Sequence, residues 1–467
     1  MERTAFTTLE KWLNNAKRKP MVVWGARQVG KTYLIRDQFS AKYFPDNTVY
    51  IDFRLEKEIA DYCADHVDPH EIMTFISLFK RKPINEKTLL IFDEVQECPA
   101  IITSLKYFCQ DYRNYPVIAT GSMVRIKIRR LSKKDEPFLF PVGKINQMTL
   151  YPMTFDEFLL NDNRPLYDMV RQAYDSGSVL PAAVHDLAMN ALYQFLLVGG
   201  MPEVLDTFIE THDYLEAQTI LSDLYDNYLS DMELYQASPE SIIRSRNVFR
   251  GIYRELNRES KNFSPGLIES GKKNRDFQSP IDWLTMAQIV HRSFQLKEHV
   301  ELPLMPEEGS LFRLYLGDIG MFSWQSGVNA ASFFSKNGQN SLSGIFFENY
   351  AALELAARNI GLFYWRGKND AEMEFIAGVD EKVIPLDVKK GRGSLNSLEK
   401  FRNHNGNSPA IKISANNAGY DAARNIITIP LYEMPFLAED LSAGNLPRIA
   451  MRESDPAVGT KLPSKGW

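Results

Sequence analysis

Residues 21–32 read MVVWGARQVGKT. Four consecutive apolar residues closed by a glycine are the pattern of a strand buried on both faces. The segment that follows, GARQVGKT at 25–32, satisfies G-x-x-x-x-G-K-[ST] through Gly25, Gly30, Lys31 and Thr32. The glycines let the backbone fold tightly and turn its N–H groups toward phosphate oxygens. A helix starting near Lys31 adds its positive end. Lys31 is expected against the β- and γ-phosphates, and the Thr32 hydroxyl on a Mg²⁺ ion. The expected nucleotide contacts are Gly25, Ala26, Arg27, Gln28, Val29, Gly30, Lys31, Thr32 and Tyr33.

A second strand must supply the rest of the metal shell. TLLIFDEVQ at 88–96 is apolar and ends in two carboxylates. Asp93 is expected to hold Mg²⁺ and Glu94 to polarise the attacking water, so Glu94 and Lys31 are the candidate catalytic residues. The Asp-Glu order implies hydrolysis rather than binding alone. PVIAT at 116–120 is the next strand. The hydroxyls of Thr120 and Ser122 are expected between the first two sites, positioned to sense the γ-phosphate; a plain turn of small residues explains the same letters. No arginine finger can be assigned. Arg125, Arg129 and Arg130 are candidates, in a run, KIRRLSKK, that also reads as a solvated face.

With Thr48–Phe53 and Ile145–Leu150, these strands alternate with helical segments over residues 1–150, the pattern of an α/β domain with a parallel sheet. Beyond 150 the alternation stops. Segments 185–197 and 214–231 carry apolar residues at three-to-four spacing, so 151–237 reads as a helical lid. Ser238 and Pro239 open a new helix. Three short helices and two apolar strands then fit a winged-helix module over 238–335. Residues 336–440 begin with a helix at 341–358 and become strand-rich. Residues 441–467 end in an aperiodic mixture of Pro, Gly, Ser and Lys, expected to be a mobile tail.

The chain has 467 residues, too many for one hydrophobic core. A net charge of −5 argues against coating nucleic acid by bulk charge. Cys63, Cys98 and Cys109 lack metal-ligand spacing and imply a reducing compartment. The first 20 residues have no apolar core of a signal peptide, and no run is long enough to span a bilayer. The expected location is the cytoplasm, with no membrane partner.

Several further motifs share an order with those above: IFDEVQECP at 91–99, ATGS at 119–122, FPVGKINQMTLYPMTFDEFL at 140–159, VGGMPEV at 198–204, GIFFENY at 344–350 and PLDVKKG at 385–391. In this order the chain resembles the bacterial and archaeal family of AAA-type ATP-binding proteins, near the signal-transduction ATPases, that carry a C-terminal domain of unknown function. The resemblance implies a P-loop ATPase core, a helical lid, a winged helix and a C-terminal α/β domain similar to restriction endonucleases, with ATP and Mg²⁺ as cofactors. It also implies that Gly200, Met201 and Pro202 match a Gly-x-Pro segment touching the nucleotide, which adds Pro202 to the contact set. From the residues alone, GGMPE is a helix break followed by proline at the first helical position. Those relatives often have an arginine directly after the sensor strand, where this chain has Gly121 and Ser122.

AEMEFIA at 371–377 and KVIPLDVK at 382–389 read as two period-2 strands joined by Gly378-Val-Asp-Glu381. A turn centred between Asp380 and Glu381 makes opposed residue numbers sum to 761, so Glu374 faces Asp387 and Glu372 faces Lys389. Met373, Phe375, Leu386 and Val388 then share the opposite, buried face. Opposed carboxylates repel unless a cation lies between them. With Lys389 on the same face and Glu348 on the preceding helix, the group resembles the PD-(D/E)xK nuclease site with its two acids exchanged. An active nuclease, a degenerate fold that only binds DNA, and solvated charge pairs all remain open.

Arg244, Arg246, Arg250, Arg254 and Arg258 recur along one helix, with Lys272, Lys273 and Arg275 nearby. DNA phosphate contact and an ordinary charged face fit this pattern equally well. The reading is a Mg²⁺-dependent, ATP-hydrolysing switch acting with DNA, in a chain whose oligomeric state is open. The alternatives are an ATP-regulated, metal-dependent DNA nuclease and a non-catalytic ATP-binding scaffold.

Overall fold

The structure, a computed structural model, describes residues 1–121, 141–236, 238–334, 336–368, 371–389 and 396–448. Five strands form the N-terminal sheet: β1 (Met21–Trp24), β2 (Thr48–Asp52), β3 (Leu89–Asp93), β4 (Val117–Thr120) and β5 (Asn146–Thr149). All pairings are parallel, in the order β2-β3-β4-β1-β5. Side chains alternate across the sheet, and both faces are covered. Met21, Val23, Leu89, Ile91 and Ile118 pack with Leu9, Trp12, Leu34 and Phe39 on one side. Val22, Trp24, Leu90, Phe92 and Val117 pack with Ile59, Ile72, Ile101 and Phe108 on the other. Burial on both faces is why β1, β3 and β4 are almost wholly apolar runs, whereas β2 (TVYID) and β5 (NQMT), at the two edges of the sheet, are only partly buried.

Five helices follow: Phe155–Asp162, Arg164–Ser176, Ala182–Val198, Pro202–Thr211 and Tyr214–Tyr235. At the start of the first, the Thr154 backbone amide donates to Glu157 Oε2 at 3.2 Å. The last two meet in an αα-hairpin, with Asp213 capping the longer helix. Helix Pro239–Leu256 starts where Ser238 and Pro239 predict, the Ser238 hydroxyl accepting from the Ser241 amide. Two shorter helices, Pro265–Ile268 and Asn274–Met286, lead into antiparallel β6 (Val290–Gln295) and β7 (Phe312–Leu316).

This helix-and-hairpin block is not free-standing. β6 also pairs in parallel with β8 (Phe363–Arg366), which pairs with β9 (Glu372–Met373), so one four-stranded sheet crosses the boundary expected at 335/336. The remaining strands are β10 (Phe375–Val379), β11 (Lys382–Lys389), β12 (Ala410–Ser414), β13 (Gly419–Asp421) and β14 (Ile426–Pro430). They form a mixed sheet in the order β10-β11-β12-β14-β13. Its apolar face is continuous with the lid: Phe155 lies 5.7 Å from the Phe195 ring and 6.4 Å from that of Tyr350 on helix Lys336–Ala357.

The described part of the expected tail is docked. Helix Met434–Ser442 runs through residue 440 with Leu441 buried, and Arg448 donates to the Asp175 carbonyl at 2.9 Å. Residues 449–467 lie outside the described residues.

The lid is joined to the core and to the β7 segment through glycines at close backbone contact. The amide of Met153, just after β5, donates to the Gly200 carbonyl at 2.6 Å. A Cβ on Gly200 would lie 2.0 Å from the Met153 carbonyl oxygen. The Gly200 amide donates to Asp318 Oδ2 at 2.7 Å, and Asp318 also caps helix Ile319–Ser326. Since the obstruction is backbone, relaxation is restricted, and Gly200→Ala is expected to destabilise the chain by about 3 kcal/mol, the upper range for overpacking. Urea unfolding of the variant against wild type checks this.

Candidate nucleotide site and its neighbours

The loop after β1 depends on glycine at its two ends. Gly25 and Gly30 have φ of +156° and +86°, and a Cβ on Gly25 would lie 2.5 Å from the Leu150 carbonyl oxygen. Inside the loop, Lys31 is buried and folded back, its Nζ donating to the carbonyls of Ala26 at 2.7 Å and Gly25 at 3.1 Å. Burial is the main influence on its ammonium and pushes it down to about 8, against the attraction of Glu94 and Asp93. Gln28 and Tyr33 lie exposed at the loop's rim, Tyr33 being 52% accessible.

β3 delivers the second half of the site. Thr32 Oγ1 donates to Asp93 Oδ2 at 2.7 Å, Tyr50 donates to the same oxygen at 2.9 Å, and the Glu94 amide donates to Oδ1 at 2.9 Å. Asp93 is only 4% exposed. Burial, with Asp93 adding to it, pushes the Tyr50 hydroxyl well up, so it remains a donor. Hard oxygens of a hydroxyl and a carboxylate at one point are donors of the kind Mg²⁺ takes, and Thr32 and Asp93 fit that ion. Glu94 sits in left-handed backbone with φ of +52°. Its Oε2 is held by Arg54 at 3.3 Å and by the Gln96 amide group.

Pro202 also reaches the loop: a Cβ on Gly30 would meet Pro202 Cγ at 3.5 Å. The Thr120 hydroxyl donates to the Val23 carbonyl of the neighbouring strand at 3.3 Å. Ser122, Arg125, Arg129 and Arg130 lie outside the described residues.

Five residues that contact this site escape a motif reading. Arg3 donates to the Val29 carbonyl at 3.1 Å and to the Tyr151 carbonyl at 2.7 Å, with its Nε 3.2 Å from Glu157. Arg54 and Gln96 hold Glu94 as described. From the lid, Tyr228 donates to the Arg27 carbonyl at 2.9 Å, and Asp231 pairs with the Arg27 guanidinium. The only local signal is that Tyr228 and Asp231, three apart, share a helix face.

The C-terminal carboxylates are gathered, but with cations already among them. The hairpin register is as predicted, Phe375 opposite Leu386 and Val379 opposite Lys382, with Asp380 and Glu381 both at positive φ in a two-residue turn. The strand breaks at Glu374. Glu372 consequently pairs with Arg366 across β8 and not with Lys389, and Met373 joins a different apolar cluster from Phe375. Lys389 Nζ lies 3.0 Å from both Glu374 and Asp387. The Asp387 contact is not aligned as a hydrogen bond, which leaves that buried oxygen without a partner. Burial, reinforced by Asp387, pushes the Glu374 carboxyl up despite Lys389.

Glu348 is held by Lys261, by Arg313 at 3.2 Å and by Tyr315 at 2.7 Å; Arg313 also pairs with Glu372 at 2.6 Å. Among the described residues no group of three or more acidic, histidine or cysteine side chains is arranged to hold a metal. The oxygens face Lys261, Arg313 and Lys389, so they do not fit a divalent ion.

The arginine-rich helix is similarly committed. Arg244 is buried and pairs with Glu240 at 2.6 Å and Glu269 at 3.0 Å; Arg246 pairs with Glu233, and Arg254 donates to the Leu267 carbonyl at 3.2 Å. No helix among the described residues is long and apolar enough to cross a membrane.

Residues 17–159 match the family model of an AAA domain. Residues 189–332 and 343–434 match two domains of unknown function, DUF8612 and DUF4143. The parallel sheet and the loop geometry over the N-terminal third agree with the first match. No protein of curated function matches the chain. Among solved structures, the Walker-type ATPase PABY2304 of Pyrococcus abyssi is similar at 16% identity, covering 70% of this chain and 95% of its own, with a TM-score of 0.41. The Aeropyrum pernix ORC2 protein, in ADPNP–ADP complexes, is similar at 12% identity, covering 72% and 96%, with a TM-score of 0.36. Both TM-scores lie below 0.5, too distant to carry fold or function across.

Two outcomes follow from these geometries. Binding phosphate requires the Lys31 ammonium, which burial pushes down to about 8. Above that value the complex must take a proton back, so nucleotide affinity is expected to fall about tenfold per pH unit above 8 and to be flat below it. Calorimetric titration with ADP between pH 6.5 and 9.5 measures this. In the C-terminal network, burial pushes the Glu348 carboxyl up, but Lys261 and Arg313 outweigh it and hold it at about 2. A depressed carboxyl stabilises the fold above its usual range and loses that contribution as pH falls toward 2. Glu348→Ala strands the buried Arg313 and is expected to lose about 3–5 kcal/mol, read from urea unfolding at pH 7.

Proposed function

We propose that the chain is a Mg²⁺-dependent ATPase whose nucleotide state sets how the core and lid dock. The observation that carries this reading is the Thr32–Asp93 hydrogen bond beside an amide-lined loop into which Lys31 is folded. Lys31 exchanges its two carbonyl contacts for phosphate oxygens, and the loop amides supply the remaining donors. Mg²⁺, when bound at Thr32 and Asp93, neutralises charge on the β- and γ-oxygens. Glu94 accepts a proton from water as the water oxygen bonds to the γ-phosphorus. The bond from that phosphorus to the β,γ-bridging oxygen breaks, leaving its electron pair on ADP. For this, Glu94 must leave Arg54 and Gln96, which hold its Oε2. Pro202, against Gly30, and the Tyr228–Asp231 face, against Arg27, are the routes by which loop movement reaches the lid.

Glu94→Gln keeps the shape of the side chain and removes its basicity. The expected result is ADP affinity within a few-fold of wild type and a kcat lower by about 10²–10⁴-fold, the usual contribution of a general base. Steady-state phosphate release with MgATP measures it. Wild-type protein that retains ATP without releasing phosphate would instead make the chain a binding scaffold.

A further inference from the structure

The loop carries a second cation with no assigned role. Arg27 is the third residue of GARQVGKT, four before Lys31, in the part of the loop that wraps the phosphates. Its backbone is fixed, because its carbonyl accepts from Tyr228 at 2.9 Å. Its side chain is held at one point only. Among the described residues its one ion-pair partner is Asp231, on the same helix face as Tyr228, and the guanidinium is 38% exposed. Asp231 is 1% exposed, and its other oxygen, Oδ2, is buried without a hydrogen-bond partner.

We propose that Arg27 is a catalytic arginine supplied in cis, which pairs with Asp231 and is transferred from it to the γ-phosphoryl group of bound ATP. The assignment rests on the ATPase reading above.

The physical case is a competition for one guanidinium. Arg27 and Lys31 are neighbouring positive charges, and Arg27 adds a little to burial in lowering the Lys31 ammonium. Asp231 offsets that repulsion imperfectly: burial pushes its carboxyl up, ahead of the opposing pull of Arg27. A half-satisfied buried carboxylate is a weak competitor. The γ-phosphoryl group offers two or three equatorial oxygens, the geometry that the planar fork of arginine matches best. As the water oxygen bonds to the γ-phosphorus and the bridging oxygen leaves with its electron pair, Arg27 donates to the oxygens where charge accumulates. The water's proton goes to Glu94. Asp231, vacated, leaves the helix Tyr214–Tyr235 joined to the loop through Tyr228 alone, so the same transfer loosens the lid. No residue from a second molecule is then needed to complete the charge balance.

The test uses the full chain and three variants: Arg27→Ala, Asp231→Asn and the double variant. MgATP turnover, ADP affinity and affinity for ADP with aluminium fluoride, which mimics the transferring phosphoryl group, are measured for each. The expected result is that Arg27→Ala lowers kcat at least about 10²-fold, below the usual span for such an arginine, while ADP affinity changes less than about threefold. Tight binding of the ADP–aluminium fluoride complex is lost in parallel with kcat. Asp231→Asn, which frees the guanidinium, holds or raises kcat, and the double variant is as slow as Arg27→Ala. The assignment is overturned if Arg27→Ala turns over within threefold of wild type, or if it loses ADP and ADP–aluminium fluoride equally, as a structural role would dictate. It is also overturned if Asp231→Asn, folded by circular dichroism, is as slow as Arg27→Ala. A wild-type chain with no turnover would remove the ATPase reading as well, whereas an active wild type with an active Arg27→Ala removes this assignment alone.

Discussion

Asp93 ties three elements together at one nearly buried carboxylate. It accepts from Thr32 at the start of the loop helix, from Tyr50 on β2 and from the Glu94 amide at the end of β3. A buried carboxylate is tolerable only with this many donors. The donors are available because β1 and β3 are held in parallel by the strand between them, β4. Parallel order places the C-terminal ends of β1 and β3 at the same sheet edge, where ligands of open α/β sheets bind. The loop glycines, the inward Lys31 and the acidic pair follow from that constraint.

The lid is built onto the same point. Gly30 lies against Pro202, Arg27 is gripped by Tyr228 and Asp231, and Gly200 sits between Met153 and Asp318. Burial pushes the Asp318 carboxyl up to about 6, although the Gly200 and Met321 amides oppose this. A buried acid and three closely packed glycines, Gly199, Gly200 and Gly320, leave little slack.

Legibility in the sequence followed contact range. The five core strands were readable to within a residue or two; in β1, β3 and β4 burial on both faces writes a nearly unbroken apolar run, and β2 and β5 at the edges were placed by the alternation around them. GARQVGKT and the Asp93-Glu94 pair were readable because phosphate chemistry fixes residue types at fixed spacing. The 380/381 turn set the hairpin register. The strand break at Glu374 was not readable, since its cause is the competition of β8 and β11 for one segment. Arg27–Asp231, 204 residues apart, and Arg3–Val29 have no local pattern. Two acidic partners of the arginine-rich helix were not readable for a related reason: Glu233 and Glu269, which pair with Arg246 and Arg244, lie on other elements. The C-terminal acids were correctly gathered, but Lys261 and Arg313, the cations that meet them, come from distant segments.

The central claim is that the loop at 25–32 grips a nucleotide phosphate with its amides and one ammonium. Calorimetric titration of wild type and Lys31→Ala with MgADP at pH 7 tests it most directly. The account predicts one site per chain in wild type and a loss of about 100-fold or more in the variant, two charge-assisted hydrogen bonds being removed from a buried site. Equal affinity in the two proteins would contradict it.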